Sequence, residues 1–151
     1  MILGEAPGAE EDKVGLPFQG KSGIIIDKVL AKADVSVRIT NCVRCRPPEN
    51  RNPTSSELAA CFPHLLKEIE EIMPTVIVTM GRVPLKNLIP STYKKTLKHW
   101  IGRSPLTFLM DGEPVPVYPL YHPAYILRNQ SKMTAYIDEF AKLLIKIYKG
   151  E

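Results

Sequence analysis

The chain has 151 residues, 44% of them hydrophobic and 24% charged; this is the balance of one globular domain with room for a sizeable core, and it excludes a disordered, collagen-like or coiled-coil chain. No run of about 18 apolar residues is present to span a membrane, and Met1-Ile2-Leu3-Gly4-Glu5 has neither the basic nor the apolar region of an export signal. Twenty Lys and Arg against 16 Asp and Glu leave a net charge of +4, which permits a nucleic-acid partner without demanding one, and 3 cysteines are too few for a disulfide scaffold, so reduced thiols in a cytoplasm are expected.

Met1-Ile2-Leu3 is an apolar stub running into Gly4-Glu5-Ala6-Pro7-Gly8, a short strand closed by a Gly/Pro turn and entered part-way through the element. Residues 9–20 read as loop. Ser22 is placed to cap a helix over 23–33, with Ile24, Ile25 and Leu30 on its apolar side. Residues 35–40 are rich in β-branched side chains and predict a strand; 41–53, with Pro47, Pro48 and Pro53, predict a loop. Thr54-Ser55-Ser56-Glu57 is a capping box that opens a helix over 55–72, kinked at Pro63, with Leu58, Leu65, Ile69 and Ile72 inward. The apolar run 75–81, bounded by Pro74 and Gly81, has the pattern of a buried parallel strand. A helix over 84–89 follows, and the stretch up to Met110 carries no clear period. Residues 115–120 read as a strand whose prolines put it at an edge or a strand start. Ser131 or Asn129 is placed to cap a last helix over 132–149, apolar at Met133, Tyr136, Ile137, Phe140, Leu144 and Ile147. Alternating strands and helices make this an α/β fold with a mainly parallel sheet, in a single domain over 1–151. In such sheets ligands sit at the carboxyl ends of the strands. Gly4-Glu5, Asn41, Gly81 and His122 each follow a predicted strand and should converge.

The residues at that edge carry chemistry, each with a plainer alternative. Glu5, Glu10, Glu11 and Asp12 put carboxylates on a tight loop, for positioning water or stabilising a cation, or simply as solvated acids of a turn. The loop lacks Gly-Lys-Ser/Thr, so it is no P-loop. Phe18, held between Pro17 and Gly20, is a stacking platform for a base or a plug in the core. Asn41 offers the donor and acceptor set that complements a pyrimidine edge, or braces its own loop. His122 is placed to donate a hydrogen bond to a developing anion. Beside it, Tyr125, Ile126 and Leu127 form an apolar wedge for a base stack, with Arg128 for a phosphate. Arg44, Arg46 and Arg51 share one loop, and Arg82, Lys86, Lys94, Lys95, Lys98 and Arg103 occupy a stretch without an acid. Both runs are solvated surface or a seat for a phosphate backbone. Cys42-x-x-Cys45 with Cys61-x-x-His64 has the pairing of a tetrahedral metal site, or else some of these are small buried residues.

Taken together, these segments resemble the family 4 uracil-DNA glycosylases, the iron–sulfur branch of that superfamily. The matching stretches are Gly4-Glu5-Ala6-Pro7-Gly8 with Glu10-Glu11-Asp12; Gly15-Leu16-Pro17-Phe18-Gln19-Gly20 with Ser22-Gly23; Ile39-Thr40-Asn41; Cys45-Arg46-Pro47-Pro48 with Asn50-Arg51; Ala60-Cys61; and Tyr121 through Arg128, in family order. The resemblance implies an α/β/α sandwich around a four-stranded parallel sheet, and a DNA repair enzyme that flips uracil out of DNA and hydrolyses its N-glycosidic bond. It implies that Phe18 stacks on the base, that Asn41 reads its edge and that His122 stabilises charge on its oxygen. Glu5 or Glu11 would orient water, Ala6 would stand in the first motif where stronger water activators carry Asp, and Arg46 with Tyr125–Arg128 would meet DNA. Family members carry an upstream Cys-x-x-Cys that completes four cluster ligands with the equivalents of Cys45 and Cys61. This chain starts at the first motif, as if the usual N-terminal segment were missing. No cofactor is needed for the chemistry. A [4Fe-4S] cluster is expected only with such an upstream pair, and zinc on Cys42, Cys45, Cys61 and His64 is the weaker alternative. The expected partner is uracil-containing DNA, single-stranded or duplex, bound by a monomer. The alternatives are a glycosylase-like module that binds DNA without cutting, and a glycosylase for another modified base.

Overall fold

The apolar run after Pro74 forms a strand, Ile77–Met80, buried at every residue in the middle of the sheet of a computed structural model that describes residues 1–150. In chain order the strands are β1 (Ile2–Gly4), β2 (Ile39–Asn41), β3 (Ile77–Met80), β4 (Leu106–Met110) and β5 (Glu113–Leu120). They lie in the order β2-β1-β3-β5-β4. All neighbours are parallel except β4 and β5, which form a hairpin. The sheet therefore has five strands and not the expected four. The extra strand comes from the stretch without a clear period. Its signal is Asp111-Gly112, which joins β4 to β5 with φ of 51° and 84°. Two successive left-handed residues make the turn that matches the twist of paired strands.

The prolines of β5 do not confine it to an edge. β3 pairs with Val117–Leu120 and β4 with Glu113–Val117, so only Val117 has a partner strand on both sides. Pro114, Pro116 and Pro119 each fall where β5 has one neighbour, and the missing N–H groups cost no ladder.

Helices cover both faces of the sheet. On one, Ile25, Ile26 and Val29 of α2 (Lys21–Ala33) and Tyr136, Phe140 and Leu144 of α7 (Met133–Lys149) pack against Ile2, Val78 and Met80. On the other, Leu65 and Ile69 of α3 (Ser55–Ile72) and Leu85 and Leu88 of α4 (Arg82–Leu88) meet Leu3, Ile77 and Val117. Each such buried side chain contributes about 1.5–3 kcal/mol. The alternation Ile2/Leu3 across β1 assigns one residue to each core. α5 (Leu97–Ile101) adds Trp100 to the second core, its indole N–H donating to the Thr92 carbonyl at 2.7 Å.

The expected capping box is present: Thr54 Oγ1 accepts the Glu57 N–H at 3.2 Å, and α3 runs through Pro63 to Ile72. Other boundaries differ. Residues expected to be loop form α1 (Ala9–Val14). Gly20 precedes α2 in place of a Ser22 cap. β2 begins only at Ile39. α7 follows a 3-10 turn, Gln130–Lys132, and Ser131 Oγ donates to Asn129 Oδ1 instead of capping it. No helix among the described residues is long and apolar enough to cross a membrane.

Candidate active site

Gly4 and Asn41 are register partners at the carboxyl ends of β1 and β2. The approach is so close that a Cβ on Gly4 would overlap Asn41 Oδ1 and stand 2.8 Å from Cε2 and Cζ of Phe18. Phe18 is held there from behind. Its backbone is left-handed, φ 53°, an uncommon conformation for a bulky residue that persists only under firm packing. The packing is Gly23, on the first turn of α2, where any Cβ would run into the Phe18 carbonyl. The ring belongs to the first core and is 9% exposed. His122 follows β5, and its Cβ lies 3.4 Å from the Cβ position of Gly81, which follows β3. The His122 and Phe18 rings are near parallel, 26° apart with centroids 6.0 Å apart. The four strand ends expected to converge thus meet around Phe18.

His122 Nδ1 accepts the Ala124 N–H at 3.0 Å, where it opens α6 (Pro123–Leu127). An accepting Nδ1 leaves the proton of the neutral ring on Nε2. Burial holds the imidazole below its ordinary pKa, and the charge of Glu11 opposes this. The site therefore keeps a neutral ring with one free N–H donor. Glu11 lies against the loop glycines: a Cβ on Gly8 would come tightly to 3.3 Å from one carboxylate oxygen, and one on Gly20 would make an ordinary contact at 3.9 Å with the other. Glu5, half-buried directly after β1, is pushed upward in pKa by burial. Ala6 is half-buried in the turn to α1. A cleft of about 390 Å³ opens beside this group, lined by Glu11, Asp12, Asn41, Arg38, Arg44 and Glu68 among others.

Other expected site residues are dispersed. Ile126 is 3% exposed and packed in the first core, so it is no part of a surface wedge. On a short helix one face must point inward, and Ile126 occupies it. Tyr125 is 46% exposed and stacks on Tyr121 at 5.0 Å between ring centroids. Leu127 is partly buried against the core and Arg128 is exposed. Arg46 donates to Asn50 Oδ1 at 2.7 Å. Its loop neighbours are engaged internally: Arg44 contacts Glu68 at 2.6 Å and Arg51 contacts Glu57 at 2.7 Å.

The residues do not fit a metal site of their own. Cys42 is buried in the second core, and burial pushes its thiol up to about 12, so it stays protonated. Cys45 is exposed, Cys61 intermediate and His64 exposed. Among the described residues no three His, Cys, Asp or Glu side chains gather as ligands. The zinc set fails because Cys42, directly after β2, has its side chain turned into the core. Cys42→Ala, which removes the buried thiol from the second core and from the Asn87 amide beside it, is expected to cost about 1–3 kcal/mol. A thermal melt would show the loss, with metal content by elemental analysis unchanged.

Glu68 escapes a reading of the sequence. It is 8% exposed on the inward side of α3, and it binds Arg38 at 2.8 Å, Arg44 at 2.6 Å and Thr40 at 2.9 Å. Burial alone would raise its carboxyl; the hydrogen bonds from Arg38, Arg44 and Thr40 outweigh that and hold it below the ordinary value. Its only signal is an acid at an inward helical position, three residues after Leu65.

The chain is similar to known proteins. The family model described as the uracil DNA glycosylase superfamily matches residues 1–145. A type-4 uracil-DNA glycosylase of Thermotoga maritima is 40% identical over 134 residues, 87% of this chain and 67% of that protein. One of Sulfurisphaera tokodaii is 38% identical over 149 residues, 95% of this chain and 67% of that protein. A type-5 uracil-DNA glycosylase of Pyrobaculum aerophilum is more distant, 29% identical over 72% of this chain. With a match over nearly its whole length and relatives of this likeness, the chain belongs to the uracil-DNA glycosylase superfamily.

Proposed function

We infer that the chain is a uracil-DNA glycosylase of DNA repair: it turns a uracil nucleotide out of DNA and hydrolyses the bond between the base and C1′. The observation that carries this is the meeting of Phe18, Asn41 and a neutral His122 around Gly4 and Gly81. Phe18 supplies an apolar face for the base. The Asn41 amide pairs with the uracil edge. The His122 Nε2–H donates to the uracil oxygen on which charge builds as the C1′–N bond breaks and its electron pair leaves with the base. Water then adds to C1′, and the proton it gives up balances the one the departing uracil anion takes up, so the products are uracil and an abasic site. A single positioned donor of this kind commonly contributes about 10²–10³ in rate.

Glu5 and Glu11 are the carboxylates available to orient the water and offset the charge on the sugar, and the rates of Glu5→Gln and Glu11→Gln decide between them. Ala6 offers no carboxylate of its own. Tyr125, Leu127, Arg128 and Arg46 are assigned to the DNA, the first two to the gap left in the stack. A flipped base costs a few kcal/mol, least where it is mismatched or single-stranded. The enzyme of this proposal works as a monomer in the cytoplasm. A four-ligand iron–sulfur cluster on Cys45 and Cys61 would draw its other thiolates from outside this sequence, and no step above depends on it.

Incubation with a uracil-containing oligonucleotide, followed by alkali, is expected to cut at the uracil position. Folded protein that binds the oligonucleotide and leaves it alkali-stable would instead mark a binding module.

A further inference from the structure

The acid-free stretch from Arg82 to Met110 has no part in the chemistry above, yet the fold fastens it to the site. It carries six of the chain's 20 Lys and Arg and none of its 16 acids, so the rest of the chain is net acidic. Arg82 comes directly after Gly81, the glycine against His122. Its guanidinium donates to the carbonyls of Tyr93 and Lys95, each at 2.9 Å. One arginine side chain thus ties the turn Pro90–Lys94 to the strand end beside the catalytic imidazole. Along that turn and α5, Tyr93 is 57% exposed and Lys94, Lys95, Lys98 and Arg103 are exposed. Arg103 donates a hydrogen bond to His99 Nδ1 at 3.3 Å, and after desolvation the charges of Arg103 and Lys95 help hold the His99 ring below its ordinary pKa.

Cations gathered this way repel unless an anion covers them. Among the described residues none of Arg82, Lys86, Lys94, Lys95, Lys98 and Arg103 forms an ion pair. The arginines of the 42–53 loop differ, since Arg44 and Arg51 are paired with Glu68 and Glu57. We propose that the face formed by Tyr93, Lys94, Lys95, Lys98 and Arg103 is a DNA-backbone clamp, seating the phosphates that flank the flipped nucleotide. The proposal rests on the glycosylase reading for its ligand. The Arg82 tether joins the start of this face to the strand end beside His122, and in the proposal phosphates on it continue from a nucleotide held there.

The test uses the full chain and a labelled duplex oligonucleotide with one central uracil. The triple variant Lys94→Ser/Lys95→Ser/Lys98→Ser is compared with Lys28→Ser/Lys142→Ser/Lys146→Ser, whose exposed lysines lie on α2 and α7. Affinity is measured by fluorescence anisotropy across a salt series. Each phosphate that is no longer neutralised reduces the slope of log K against log salt by about 0.9, so the first triple should reduce it by roughly 2–3 and weaken binding about 10–100-fold at moderate salt. Its kcat at saturating DNA should stay at the wild-type value, and Lys→Arg at the same positions should restore the slope. The control triple should leave the slope unchanged. An unchanged slope in the first triple, or equal reductions in both, overturns the clamp. If wild-type protein releases no uracil but the slopes differ as stated, the clamp stands and the glycosylase reading falls.

Discussion

Gly4→Ala is expected to yield a folded protein whose uracil release has dropped by about 10²-fold or more, since displacing reacting groups by ~1 Å costs about that much. Gly4 lies outside the left-handed region that Gly15, Gly81, Gly112 and Gly150 occupy, so an alanine suits its backbone. The nearest atoms the added Cβ meets are the far end of the Phe18 ring and the Asn41 amide oxygen. Those tips can swing away, and the strand need not move. The damage therefore falls first on the base-binding face, and because Phe18 and Asn41 are both buried it also carries a cost in stability, smaller than that of a clash with backbone. Gly23→Ala provides the contrast, because its Cβ meets the Phe18 backbone carbonyl and must push the loop from the start of α2. Alkali-labile cleavage and a thermal melt on both variants separate the cases: Gly4→Ala should lose rate with a modest fall in melting temperature, and Gly23→Ala should show the larger fall, since its clash is with backbone. Wild-type rates from Gly4→Ala would mean that the base does not bind between Phe18 and Asn41.

Where local chemistry and tertiary packing agree, the fold can be read in the residues. α3 has the expected bounds because Thr54 and Glu57 define its start and its apolar spacing is regular. β3 is legible because a continuous apolar run suits only a strand covered on both faces. The stretch between α4 and β4 has neither advantage. Its turn and short helix are held by long-range bonds, Arg82 to the Tyr93 and Lys95 carbonyls and Trp100 to Thr92, that no period announces. β4 hangs on one dipeptide, Asp111-Gly112, inside a run otherwise without pattern. β5 is hard to place because its prolines argue against the whole strand being central, whereas each needs only one open side.

The site is legible in its positions and less so in its surfaces. Strand ends converge in any parallel sheet, so Gly4, Asn41, Gly81 and His122 can be grouped without knowing their distances. Which side chain of a five-residue helix faces the core depends on its docking angle, and Ile126 turns inward where the sequence shows only an apolar cluster. Phe18 suits a stacking platform and a core plug equally well in the sequence. Its ring packs in the core and also lies alongside His122, so the core reading is met, and the stacking of a base on its remaining face belongs to the function we propose. Arginine runs mislead for a related reason: the 42–53 loop looks as basic as the 82–103 stretch until Glu68 and Glu57 are seen against it.

His122→Ala is expected to lower kcat by about 10²–10³ while changing KM little, because the donor it removes acts on charge present only in the transition state. The same change deletes the acceptor for the Ala124 N–H and should cost about 1 kcal/mol of stability as a lost cap. His122→Ser separates the effects: its hydroxyl can cap α6 and cannot reach the base, so stability should return without the rate. The pH profile identifies the working form. Burial holds the imidazole below its ordinary pKa, so the neutral Nε2–H donor stays populated as pH falls through about 6.5, where an exposed histidine would charge. Wild-type kcat should therefore hold flat through that range and decline only at lower pH. Glu11 pulls the pKa the other way, so Glu11→Gln should move the decline to still lower pH, whatever it does to the plateau. An acid limb that persists in His122→Ser and disappears in Glu5→Gln belongs to Glu5, whose carboxyl burial pushes upward. Loss of activity with a midpoint at or above the ordinary imidazole value, abolished by His122→Ser, would show that the ring works in an unburied state and would remove the neutral-donor mechanism.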